Sequence, residues 1–81
     1  MSLEEEITNL IAEKFSVNKE KVTAKTRFKE LGADELSIIE FQMDLEDRYV
    51  LDISEEDALN LDIVEKTINY VKKYQNTKKV I

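Results

Sequence analysis

The chain is 81 residues long, 42% apolar and 37% charged, with a net charge of −6, one glycine, and no cysteine, histidine or proline. This length suits one small domain, 1–81, and without cysteine and histidine the chain has no disulfide, no thiolate metal site and no usual general base. Because no stretch approaches the roughly 18 to 20 apolar residues that span a bilayer and the amino terminus is acidic, we expect a cytoplasmic protein with no membrane insertion, no metal and no enzymatic activity.

The first predicted element is a helix over about residues 3–15. Ser2 and Glu5 have the spacing of a capping box, and apolar residues then recur at helical intervals, at Leu3, Ile7, Leu10, Ile11 and Phe15. Residues 16–29 show no sustained periodicity. We expect a long loop there, anchored to the core by Val17, Val22 and Phe28.

Helix two is predicted over residues 35–49, with Asp34 as its N-cap. At about 100° per residue its apolar side chains form two stripes on nearly opposite sides. The stripe with the aromatic residues is assigned to the core, and it consists of Ile38, Phe41, Leu45 and Tyr49. The other stripe lies near the surface between acidic side chains; its residues are Leu36, Ile39 and Met43, bordered by Glu35, Glu40, Glu46 and Asp47. Such a strip with a charged rim is typical of a protein-binding surface, unless the third helix covers it.

The last two helices are predicted from their caps. Ser54 is the expected N-cap of a short third helix over residues 55–60, and Asp62 with Glu65 is expected to open helix four. Helix four presents an apolar face, and the tail over residues 75–81 is expected to be frayed.

The charges are divided unevenly along the chain. From Glu30 to Asp62 there are twelve acidic residues and the single base Arg48, so this segment has a charge of −11 and the remainder +5. Such a surface repels nucleic acid and attracts basic partners, although the acidity can also serve solubility alone. The acidity alone also suggests calcium binding, but the chain lacks the EF-hand ligand pattern.

Three segments together resemble the acyl carrier protein family over nearly the whole chain. "ELGADELSIIEFQMDLEDRY" is similar to that family's "DLGADSLD" motif and the acidic second helix that follows it. "DISEEDALNLDIVEKTINYV" is similar to its third and fourth helices, and "FSVNKEKVTAKTRFKELGAD" to its long first loop. The resemblance implies an all-α, up-and-down four-helix bundle with a short third helix and a long loop between helices one and two.

The resemblance also implies which residues meet partners. Helix two of the family docks on basic surfaces of partner enzymes, and the matching positions here are Leu36, Ile39, Glu40, Met43, Glu46 and Asp47. We therefore expect a monomer that binds basic surfaces of biosynthetic enzymes or regulators, and no nucleic acid.

The defining serine of the family is replaced. In the family, the residue after the aspartate of the motif is a serine that carries 4'-phosphopantetheine, and here that residue is Glu35. A carboxylate has no hydroxyl from which the phosphodiester can form, so no cofactor is expected at this position. Ser37 lies two residues on, about 200° around the helix, and is expected to hydrogen-bond locally instead.

Two functions follow from the resemblance. The first is a module that docks on enzymes of fatty acid or related biosynthesis without a phosphopantetheine arm. The alternative is a working acyl carrier protein, either because Ser37 carries the arm or because Glu35 stands in a variant of a serine-bearing parent. A further hypothesis concerns Glu35 itself, whose charge at the helix N-terminus either only complements the helix dipole or imitates the missing phosphate.

Overall fold

The computed structural model describes the backbone of residues 2–79 and the side chains of residues 2–75. Three long helices and one short helix form the fold; they are α1 (Leu3–Lys14), α2 (Glu35–Tyr49), α3 (Glu55–Asn60) and α4 (Val64–Lys79). Helix α1 packs against both α2 and α4, and α2 also contacts α4. The predicted all-α bundle with a short third helix is confirmed. None of the described helices is long and apolar enough to cross a membrane.

The segment between α1 and α2 is more regular than predicted. It contains two short 3₁₀ helices, Lys19–Lys21 and Phe28–Leu31, where only loop was expected. Such elements are one turn long and leave no periodic pattern in a sequence. The anchor prediction is confirmed, because Val22 and Phe28 are buried and Val17 packs against the core.

Three aromatic side chains fix the relative positions of α1, the loop and α2. The rings of Phe15, Phe28 and Phe41 form a triangle with centroid separations of 5.6 to 5.8 Å, at tilted angles that favour aromatic pairs. On α2, Leu45 and Tyr49 continue the buried face, and Ile38 is half-buried at its edge. The core stripe of helix two is therefore on the predicted side.

Backbone carbonyls of the long loop satisfy the first turn of α4. The N–H of Val64 donates to the carbonyl of Thr26 at 3.0 Å, and that of Glu65 to the carbonyl of Ala24 at 2.9 Å. The helix begins at Val64, and the N–H of Glu65, which a capping box at Asp62 would have used, is bonded to Ala24 instead, so that prediction is wrong. The helix continues to Lys79, although the tail over residues 75–81 was expected to be frayed. Residues 80 and 81 of that tail lie outside the described residues.

Left-handed residues terminate three of the helical segments. Gly32, the single glycine, has φ 78° after the second 3₁₀ helix, while Ser16 and Val50 each have φ 54° after α1 and α2. Glycine adopts this conformation without strain, and residues with a Cβ atom do so at a cost. The stop of α2 at Val50 is therefore the least expected of the three, because valine is β-branched.

Candidate protein-docking site

The N-terminal end of α2 is closed by a reciprocal capping box. The N–H of Ser37 donates to Oδ1 of Asp34 at 2.8 Å, and the N–H of Asp34 donates to Oγ of Ser37 at 3.0 Å. The Ser37 hydroxyl in turn donates to the carbonyl of Asp34 at 3.0 Å. The hydrogen bond from the Ser37 N–H, followed by the contribution of the Ser37 side chain, holds the pKa of the Asp34 carboxyl below its usual value. The sequence predicted the N-cap and the local bonding of Ser37.

Glu35 occupies the first position of α2 and is exposed. It is an acidic residue in the first turn of the helix, where a negative charge is favourable to the helix dipole. This placement agrees with a role in complementing the helix dipole.

The predicted apolar strip of α2 is open to solvent. Leu36 is 65% exposed, Ile39 51% and Met43 57%. We call these three residues the docking strip. Helix α3 does not cover them, so the alternative in which the strip is part of the core is wrong.

The acidic residues beside the docking strip differ in the ion pairs and hydrogen bonds that they form. Asp47 and Glu40 are exposed, and Nζ of Lys14 on α1 lies 3.9 Å from Glu40 and 3.4 Å from Asp44. Oε2 of Glu46 accepts the N–H of Ile53 at 3.0 Å and so holds the segment that follows α2. Of the predicted partner-binding acids, Glu46 thus has a structural contact that sequence reasoning missed.

A groove of about 370 Å³ runs between α2 and α3 beside the docking strip. Its walls are mostly apolar and are formed by Glu35, Ile38, Ile39, Gln42, Ala58, Leu59, Leu61 and Asp62. Gln42 fixes the distance between the two helices, because its Nε2 donates to the carbonyl of Ala58 at 3.2 Å. Ile38 packs against the core, as helical periodicity predicted, and also lines this groove, which the sequence did not indicate.

The described residues do not fit the phosphopantetheine arm that the resemblance implies. Glu35 offers no hydroxyl at the motif position, and the Ser37 hydroxyl both accepts and donates a hydrogen bond within the capping box. An ester at Ser37 would remove the proton that its oxygen donates to Asp34. Among the residues that the structure describes, no group of acidic side chains is arranged to hold a metal ion either.

Comparison with known proteins agrees with this architecture. Residues 1–80 match the family model of the highly reducing polyketide synthase sdgA C-terminal ACP domain. The acyl carrier protein of Lactobacillus johnsonii (strain CNCM I-12250 / La1 / NCC 533) is 38% identical over 78 residues, which cover 90% of this chain and 98% of that protein. The motif, the bundle and these matches together show that the chain belongs to the acyl carrier protein family.

Proposed function

We propose that this protein is a docking module that binds enzymes of fatty acid or polyketide biosynthesis through α2 and carries no phosphopantetheine arm. The observation that carries the proposal is the pair Glu35 and Ser37 at the motif. The first has no hydroxyl, and the hydroxyl of the second is engaged on both sides in the helix cap. The module brings no catalytic group of its own and acts by occupying or recruiting its partners.

The exposed surface of α2 supports the docking part of the proposal. The docking strip provides apolar area that association removes from water, and the acidic side chains around it provide long-range attraction to a basic partner. Because the contact area is small and its rim is charged, we expect dissociation constants in the micromolar range that rise with salt concentration.

A working carrier is the second candidate, and the family match favours it. The matching polyketide synthase family is that of an ACP domain, and the Lactobacillus johnsonii relative is named an acyl carrier protein. In this chain the arm would have to attach at Ser37, at the expense of the hydrogen bond that its hydroxyl donates to Asp34. The two candidates differ in whether the chain gains mass on incubation with coenzyme A and a transferase.

Docking is tested by titrating the chain with a broad-specificity phosphopantetheinyl transferase in the absence of coenzyme A. We expect Leu36→Ala and Asp47→Asn each to weaken binding, and an increase from about 0.05 to 0.5 M salt to weaken it further. Glu20→Gln is the matched control for Asp47→Asn, because Glu20 is exposed and acidic but lies in the loop before α2. Binding that neither α2 variant nor salt affects would contradict docking through α2.

A further inference from the structure

Met43 is the residue of the docking strip whose side chain is open to redox chemistry. The chain contains two methionines and no cysteine, so a mild oxidant finds sulfur only at Met1 and Met43. Met43 is 57% exposed, and its thioether is therefore accessible to oxidants in solution. Leucine and isoleucine, which form the rest of the strip, do not react with the same reagents. Mild oxidation therefore changes the docking strip at one position only.

Met43 does not hold the fold together. It belongs neither to the cluster of buried core residues nor to the partly buried apolar residues that pack against that cluster. Oxidation of a core methionine disrupts packing, because a flexible apolar side chain becomes polar. At Met43 the same change leaves the core intact. Oxidation should therefore alter what α2 binds without unfolding the protein.

The helical neighbours of Met43 offer a sulfoxide oxygen no hydrogen-bond donor. The side chains three and four residues away lie on the same side of α2, and they are Ile39, Glu40, Glu46 and Asp47. One is apolar and three are carboxylates, which accept hydrogen bonds at neutral pH and donate none. The ammonium of Lys14 is shared between the carboxylates of Glu40 and Asp44. Water satisfies an exposed sulfoxide, but a partner that covers the strip removes this water, and burial of the unpaired oxygen then costs free energy.

We propose that oxidation of Met43 to its sulfoxide weakens docking through α2 and so makes docking sensitive to peroxide. This inference rests on the proposed docking function and concerns the regulation of the same site. One oxygen atom passes from hydrogen peroxide to Sδ of Met43: the O–O bond breaks, an S–O bond forms from a sulfur lone pair, and the other oxygen leaves as water with both protons. The sulfur is oxidised and the peroxide is reduced. Methionine sulfoxide reductases reverse the step with thiols as the electron donor.

The test compares the binding of a broad-specificity phosphopantetheinyl transferase to the chain before and after treatment with dilute hydrogen peroxide, which is removed before the transferase is added. Intact mass counts the added oxygen atoms, and peptide mapping assigns them to Met1 or Met43. We expect the chain oxidised at Met43 to bind about five- to thirtyfold more weakly, as burial of an unpaired polar group predicts. Treatment with a sulfoxide reductase and dithiothreitol should restore the affinity. The thermal unfolding of the oxidised chain should match that of the untreated chain.

Met43→Leu is the matched variant, because it removes the oxidisable sulfur of α2 and retains Met1. We expect peroxide to leave its affinity equal to that of its own untreated form. A loss of affinity in treated Met43→Leu, or unfolding of the oxidised native chain, would contradict the inference. If Leu36→Ala weakens binding while the oxidised native chain binds as tightly as before, docking stands and the inference is wrong. If neither change weakens binding, docking through α2 fails and the inference fails with it.

Discussion

Replacement of Val50 by glycine should make the fold more stable although it deletes an apolar side chain. The native residue holds φ 54° at the end of α2, where it is 65% exposed. Glycine adopts the same backbone conformation without a clash between Cβ and the following carbonyl. The sign of the effect depends on whether the relieved strain exceeds what is lost with the side chain.

Three contributions decide this sign. Relief of the left-handed strain is worth about 2 kcal/mol, since a β-branched residue lies at the upper end of the usual 1 to 2 kcal/mol. Glycine destabilises the fold by roughly 0.5 to 1 kcal/mol, because its unfolded chain has more conformational freedom to lose. The buried third of the valine is worth about 0.5 kcal/mol. We therefore expect Val50→Gly to stabilise the fold by about 0.5 to 1 kcal/mol.

Thermal unfolding followed by circular dichroism measures this effect. For a domain of this size the gain corresponds to a rise in Tm of about 3 to 6 °C. Val50→Ala is the matched variant, because it deletes the same methyl groups but retains the left-handed strain, and we expect it to show no gain. A Tm for Val50→Gly at or below that of Val50→Ala would refute the reasoning and would mean that the turn is not strained.

Three further predictions concern the cap, the core and the acidic rim. Ser37→Ala removes two hydrogen bonds of the capping box and should destabilise the fold by about 0.5 to 1 kcal/mol in urea unfolding; an unchanged midpoint would show that the box contributes nothing. Burial of Tyr49 and the bond that its hydroxyl donates to Glu6 at 3.0 Å raise its pKa to about 12 from 10.0, so its contribution to stability is complete below pH 10 and is lost as the pH rises through 12. Tyr49→Phe should therefore reduce the loss of stability across that range, and an identical alkaline profile would contradict this role. Lys14→Ala removes the ion pairs that shield two acidic side chains of α2 and should make docking tighter and more dependent on salt, whereas weaker docking would place Lys14 in the contact itself.

The helices and the two faces of α2 were accessible from the sequence because they depend on local periodicity. Phe41 and Leu45 face the core and Leu36 and Met43 face solvent, as a spacing of about 100° per residue requires. The caps at Ser2 and Asp34 were likewise local, since each accepts the N–H of the residue three positions on.

The features that sequence reasoning missed depend on contacts between distant segments or on unusual backbone. The loop carbonyls that satisfy α4 and the bond between Glu46 and Ile53 depend on how separate segments meet. The ion pairs of Lys14 depend on the register of α1 against α2. The left-handed turn at Val50 carries no glycine or asparagine to mark it, so the sequence reads there as an ordinary apolar position.

We propose that this protein retains the docking surface of α2 and that Glu35 prevents attachment of the phosphopantetheine arm. The direct test is the intact mass of the native chain and of Glu35→Ser after incubation with coenzyme A and a broad-specificity phosphopantetheinyl transferase. We expect the native chain to keep its mass and Glu35→Ser to gain one phosphopantetheine. A gain of the same mass by the native chain would contradict the claim and would identify this protein as a working carrier, with Ser37 as the residue to examine.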